Sequence, residues 1–223
     1  TQAAPSPVRG RSAVVPSVMA EAHSLVVTAA DGFPLAATLW LPETATPPTR
    51  VVVVNAGAGI PARYYDRFAA WLADRGLPTL TYDYRGIGRS RPARLRGFEA
   101  TVEMWGSKDC AAMLDAMVAR FPSARLAVLG HSIGGFVTGL APGGERVDRL
   151  ALVGTHTGYW RDYAPRVRLP MYFAWHLAMP AVTRALGYFP GRRFGLPEEL
   201  PAGVARDWAR RRRPDCAWQL IDA

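Results

Sequence analysis

Residues 125–135 read Arg-Leu-Ala-Val-Leu-Gly130-His131-Ser132-Ile133-Gly134-Gly135, an apolar stretch that enters G-x-S-x-G. That pattern sets a serine on a sharp turn between a strand and a helix, with its hydroxyl raised above the sheet edge. Gly130 and Gly134 belong there because the turn brings backbones too close for a Cβ. Ser132 is therefore the candidate nucleophile. The N–H of Ile133, next along the chain, is a candidate donor to the oxyanion that forms when a carbonyl is attacked. A serine hydroxyl stays protonated at neutral pH, so this chemistry needs a base and a group to orient it.

Sites built on this turn take their carboxylate and then their histidine from later in the chain. After Val153 there is no apolar strand followed by Gly-x-x-Asp and no terminal histidine. His156 follows the last strand-like segment and is the possible base. His131, beside the serine, is expected to point elsewhere and to pack or hydrogen-bond. His176 lies among apolar residues as a core histidine, and His23 precedes the first strands. Asp162 is the one acid near the start of the C-terminal segment. Three explanations remain open: a chain that stops before its acid and base, a fold that has lost the chemistry, or a rearranged triad using His156.

The elements that must position these groups follow from hydrophobic pattern. Ser24 to Thr28 and Pro34 to Leu41 flank the turn signal Ala30-Asp31-Gly32, which predicts a leading hairpin. Val51 to Val54 is continuously apolar, as in a strand buried on both faces, and Leu77 to Tyr82 reads as the next. An amphipathic segment, Ala62 to Arg75, lies between them and ends at Gly76. Met104, Ala111, Leu114, Met117, Val118 and Phe121 recur at helical spacing over 102–121. Strand 125–129, a short helix to Leu140 and strand Arg149 to Val153 continue the alternation. The fold class is α/β, a mostly parallel sheet with helices on both faces. Beyond His156 the chain is apolar and aromatic, with helices expected at 166–187 and 198–211 and no buried strand. The expected organisation is a disordered N-terminal tail at 1–18, a core at 19–155, and a helical lid region at 156–223 with the last core strands missing.

Two further segments carry a resemblance. Strand 51–54 delivers Asn55-Ala56-Gly57-Ala58-Gly59, where many serine hydrolases carry His-Gly-x-Gly. Asp83-Tyr84-Arg85-Gly86-Ile87-Gly88-Arg89-Ser90 is similar to a D-x-R-G-x-G-x-S loop. Together with Arg63-Tyr64-Tyr65 and the serine turn, these make residues 24–155 resemble the α/β-hydrolase superfamily, in its serine aminopeptidase and monoglyceride-lipase-like branch. The resemblance implies Ser132 as nucleophile and Gly57 with Ile133 as the oxyanion hole. It also implies an ester or related acyl compound of small-molecule size as substrate and no cofactor. Asn55-Ala56 departs from the family's His-Gly.

Two other classes fit parts of the sequence. The same fold kept as a binding domain accounts for the absent acid and base. A dinucleotide-binding oxidoreductase accounts for Gly57-x-Gly59-x-x-Ala62 after a strand, with Asp83 where a ribose-binding acid sits. That reading leaves the serine turn and the Asp83-to-Ser90 loop unexplained.

Composition bounds the rest. A chain of 223 residues, 49% hydrophobic, supports one core. The net charge of +9 comes almost wholly from arginine, Lys108 being the one lysine, and Arg210 to Arg213 read as a solvated helix end rather than a nucleic-acid site. Cys110 and Cys216 make neither a disulfide framework nor a metal site, which fits a cytoplasmic protein without metal. No segment has the ~20 continuous apolar residues of a membrane span. Nothing in the pattern bears on oligomeric state.

Overall fold

The computed structural model describes residues 20–43, 46–156 and 158–210. The expected tail at 1–18, Arg211 to Arg213 and Cys216 lie outside them. Six strands, β1 (Glu21–Thr28), β2 (Pro34–Leu41), β3 (Arg50–Asn55), β4 (Thr79–Tyr82), β5 (Arg125–His131) and β6 (Val147–Val153), form one sheet in the order β1-β2-β4-β3-β5-β6. β1 and β2 are the leading hairpin, and β2 also runs antiparallel to β4. β4, β3, β5 and β6 are parallel to one another. The α/β class and the antiparallel opening are as the hydrophobic pattern predicts.

α1 (Asp66–Ala73) follows a 3-10 turn at Ala62–Tyr65, so the amphipathic segment is helical in two pieces. α2 (Val102–Met104) passes through a π-helical stretch, Trp105–Cys110, into α3 (Ala111–Arg120). α4 (Gly134–Gly139) follows the serine, and α5 (Pro165–Phe173) runs through a second π-helical stretch into α6 (Met179–Leu186). α7 (Ala202–Arg210) ends the described chain.

One expectation needs correction. The C-terminal segment is not purely helical, because β7 (Tyr188–Phe189) and β8 (Leu200–Pro201) pair antiparallel with Phe189 and Leu200 buried. Strands of two residues are too short for alternation to show. β6, the last strand of the parallel set, has an outer edge with no strand partner among the described residues. Leu150, Leu152 and Val153 are consequently exposed, although parallel strands are ordinarily covered on both faces.

The D-x-R-G loop is anchored by a buried ion cluster. Arg85 is 2% exposed, and its Nε donates to Asp109 Oδ1 at 2.6 Å while its backbone N–H donates to Asp109 Oδ2 at 2.9 Å. Its two terminal nitrogens donate to Asp31 at 2.6 and 3.1 Å. One arginine thus ties the loop after β4 to the hairpin turn and to the π-helical stretch, with the Trp105 indole donating to the Arg85 carbonyl at 3.1 Å. Burying this guanidinium is favourable only because both carboxylates satisfy it. Hydrogen bonding from Arg85 holds the Asp31 carboxyl well below the usual carboxylate range. Burial pushes the Asp109 carboxyl up to about 6 against the opposing pull of Arg85, so it is still ionised at pH 7.

Arg85→Met, which leaves Asp109 buried without its cation, is expected to cost about 3–5 kcal/mol. Asp31→Asn should cost less at pH 7. Because the folded-state pKa of Asp31 is depressed, its contribution is present above the unfolded value of 3.8 and fades as pH falls below it. Urea midpoints of wild type and Asp31→Asn should therefore differ at pH 7 and converge below pH 4.

Candidate active site

Ser132 follows β5 directly and has φ of 53°, the one positive value among non-glycine residues described. Left-handed backbone at a serine costs of order 1–3 kcal/mol, and the surroundings impose it. The Ser132 N–H donates to Val153 O at 2.9 Å, which anchors the turn to the end of β6. A Cβ at Gly130 would stand 2.7 Å from Gly135 Cα, and one at Gly134 would strike the Asn55 carbonyl oxygen. α4 therefore rests directly on the ends of β3 and β5. The Ile133 N–H makes no hydrogen bond among the described residues.

Asn55, standing where His-Gly begins in the family pattern, is wholly buried and faces away from the serine. Its Nδ2 donates to Thr138 Oγ1 at 2.9 Å and to Cys110 Sγ at 3.2 Å, and its Oδ1 accepts from the Tyr82 hydroxyl at 2.7 Å. The side chain clips β3 to α4, to β4 and to the π-helical stretch. Burial pushes the Cys110 thiol up to about 11, with the Asn55 amide opposing, so the sulfur is inert.

Gly57 approaches the serine turn closely: a Cβ there would lie 3.3 Å from His131 Nδ1. Its N–H is already engaged, donating to the Tyr65 hydroxyl at 3.0 Å. That hydroxyl lies 2.7 Å from His131 Nδ1. Burial pushes the Tyr65 phenol up to about 12, with the Gly57 N–H opposing, so it is protonated. Accepting from Gly57, it donates to His131 Nδ1, and this network assigns the neutral imidazole proton to Nε2. His131 does hydrogen-bond as expected, yet it does not turn away from the site, because it lines the same cavity as Ser132.

The cavity above the serine has a volume of about 490 Å³. Met171, Trp175, Met179, Phe189 and Leu200 make its walls, all from the lid region, and Ile60 closes the floor beside Ser132. His156 and Tyr163 are its other polar groups, and no carboxylate lines it among the described residues. His156 Nδ1 accepts from the Gly158 N–H at 2.9 Å, and Nε2 lies 3.4 Å from the Tyr163 hydroxyl. A neutral ring whose Nδ1 accepts carries its proton on Nε2, which leaves no lone pair for the serine proton in this arrangement. The Trp208 ring packs edge-on against it, with centroids 6.2 Å apart. His176 is buried, with Nδ1 2.7 Å from the Ala209 carbonyl oxygen, and it ties the π-helical stretch before α6 to α7 as a core residue. Asp162 is exposed.

Asp83 cannot serve as a ribose ligand. It is 3% exposed, Oδ1 accepts from the Ala62 N–H at 2.7 Å, and Oδ2 accepts from the Arg89 N–H at 3.1 Å. Its carboxylate fastens the 3-10 turn after the glycine-rich loop to the D-x-R-G loop. The dinucleotide-like spacing thus arises from two loops that the buried acid holds together.

Residues 46–213 match the family described as serine aminopeptidase, S33. The chain belongs to this family. Solved structures share its fold. One is a hypothetical protein of Pseudomonas aeruginosa, 19% identical with a TM-score of 0.54, the match covering 78% of this chain and 58% of that one. Another is a highly thermostable carboxyl esterase from Bacillus coagulans, 19% identical with a TM-score of 0.54 over 77% of this chain and 57% of the esterase. A protein from Agrobacterium vitis is 18% identical with a TM-score of 0.52, covering 86% and 72%. The chain thus spans a little over half the length of the first two.

Within this serine aminopeptidase family member, sequence reading missed three groups that shape the site. The Tyr65–His131 pair could have been suspected from two aromatic side chains flanking the two loops, but nothing local links them. The Asn55 clip needs the third dimension entirely. Glu198, 4% exposed, accepts from the Gly88 N–H at 2.8 Å and joins the lid region to the D-x-R-G loop.

Asn55→Ala takes its acceptor from the buried Tyr82 hydroxyl, while Thr138 keeps its bond to the Gly134 carbonyl at 2.9 Å, and should destabilise by about 1–3 kcal/mol, a fall of roughly 2–12 °C in Tm by calorimetry. Tyr65→Phe leaves two partners unmet at the cavity floor and should cost about 1–3 kcal/mol in the same measurement.

Proposed function

We propose that this chain carries the nucleophilic half of a serine hydrolase acting on carboxylic esters or related acyl compounds, with Ser132 as nucleophile. The observation that carries the reading is the strained turn at Ser132, which presents the hydroxyl to an apolar cavity beside an Ile133 N–H that makes no hydrogen bond among the described residues. Gly57 and Ile133 are the proposed oxyanion donors. For Gly57 to act, its N–H must pass from the Tyr65 hydroxyl to the substrate oxygen. Cavity walls of Trp175, Met179 and Phe189 suit an apolar acyl or aryl group. The carboxyl esterase from Bacillus coagulans shares this fold, which supports the reading by analogy.

The proposal assigns the acid and base to chain beyond β6, whose outer edge has no strand partner among the described residues. The absence of a cavity carboxylate and the engaged His156 Nδ1 support this, and they also favour a second reading: a binding domain that holds an apolar ligand without turnover.

Turnover of p-nitrophenyl acetate by the 223-residue chain distinguishes the two. A serine hydroxyl without a base is a weak nucleophile, so a feeble rate carried by Ser132 is expected. Ser132→Ala should reduce it to background, and His156→Ala should leave it unchanged. Vigorous turnover abolished by His156→Ala would establish the rearranged triad instead. A rate indifferent to Ser132→Ala, with saturable uptake of an apolar fluorophore, would establish the binding domain.

A further inference from the structure

The helix Pro165–Leu186, formed by α5, its π-helical stretch and α6, is apolar on two opposite sides. Met171, Trp175 and Met179 face the cavity, while Leu169, Phe173 and Leu177, at spacings of four, are 61%, 55% and 50% exposed. A second apolar side on a helix is ordinarily covered like the first, yet nothing among the described residues covers this outer side. Large exposed stripes of this kind mark a docking surface.

Charge indicates what docks. From Tyr163 to Pro197 the chain holds Arg166, Arg168, Arg184, Arg192 and Arg193 and no aspartate or glutamate. Arg192 is matched by Glu198 and Glu199. Arg166 and Arg184, near the two ends of the helix, and Arg193 are exposed and make no ion pair among the described residues. Exposed apolar side chains bracketed by unmatched arginines, with no acid between, fit an interface that is apolar below and anionic at its surface. Duplex nucleic acid offers the anion without an apolar layer, and a second copy of this chain offers more arginine. No described helix is long and apolar enough to cross a membrane, so the segment would lie on the surface. Phe194, half exposed beside Arg193, also lines the cavity, so the cavity rim belongs to the same basic, apolar segment.

We propose that the outer face of this helix, through Leu169, Phe173 and Leu177 with Arg166 and Arg184, seats the protein on a lipid surface bearing anionic headgroups. The proposal is independent of whether Ser132 reacts.

Co-sedimentation of the 223-residue chain with vesicles tests it, using phosphatidylcholine alone and phosphatidylcholine with a quarter phosphatidylserine. Binding to the anionic vesicles is expected, with at least tenfold weaker partitioning to the neutral ones and weakening as salt rises. F173S/L177S should lose binding, and R166Q/R184Q should lose roughly tenfold or more, both with wild-type circular dichroism and Tm because the residues are exposed. F68S/W71S, which alters an exposed aromatic pair on α1, should bind as wild type. Four results would each overturn the proposal: no binding to anionic vesicles, equal binding to neutral ones, binding that survives F173S/L177S, or equal loss in F68S/W71S. A concentration-dependent dimer abolished by F173S/L177S, without lipid binding, would assign the face to a second copy and likewise overturn it.

Discussion

The contact on which the site depends is the approach of α4 to the carboxyl ends of β3 and β5. Three glycines bring it about. With no Cβ at Gly130, Gly134 or Gly135, the backbone after β5 folds back on itself and lies against the Asn55 carbonyl and the Thr155 side chain. Ser132 is left in a conformation that serine adopts at a cost, and the gain is a hydroxyl held above the sheet rather than packed within it. Any larger residue at these glycines would lift α4, and the Ile133 N–H would no longer lie beside the serine.

Strain at one residue persists only where its neighbours are stiff, and two buried polar clusters supply the stiffness. Asn55 joins β3 to α4, and Arg85 with Asp31 and Asp109 joins the D-x-R-G loop to the hairpin and to the helix before α3. Each works because nearly every donor and acceptor finds a partner, so the clusters specify a single arrangement of loops where a purely apolar contact would tolerate slippage. Asp83 does the same between the glycine-rich loop and the D-x-R-G loop. The catalytic-looking residues of both loops are thus mostly structural, and what they position is backbone.

The segment beyond His156 is bound to this frame by polar contacts as well as by packing. Glu198 accepts from Gly88, Asp207 accepts from the Val102 N–H at 2.9 Å, and Glu199 pairs with Arg91. The apolar inner side of α5 and α6 then roofs a cavity whose floor is Ser132, His131 and Ile60. Polar capacity in that cavity is concentrated at the floor and at the His156–Tyr163 pair, and the remainder of the wall can only exclude water.

How much of this was legible differs by element. The alternation of apolar runs with a 3.6-residue period establishes the α/β class, the hairpin and the strands through β6, because burial on a sheet or helix face leaves a local periodicity. G-x-S-x-G after an apolar strand likewise locates the strained turn at Ser132, since steric exclusion of a Cβ is a property of a few consecutive residues. The roles of Asn55, Tyr65, Arg85 and Asp83 were not legible. Their partners lie from 6 to 83 residues away, and sequence spacing carries no record of which donor meets which acceptor. Asp83 shows the consequence, being read as a possible ribose ligand until its two oxygens are seen to be spent on Ala62 and Arg89. His156 was singled out by its place after β6, but only the fold shows its Nδ1 turned to the Gly158 N–H. Residue type and local order determined the fold of this protein and the turn that carries Ser132. Tertiary structure alone decided which polar atoms are already satisfied, and therefore which remain for chemistry.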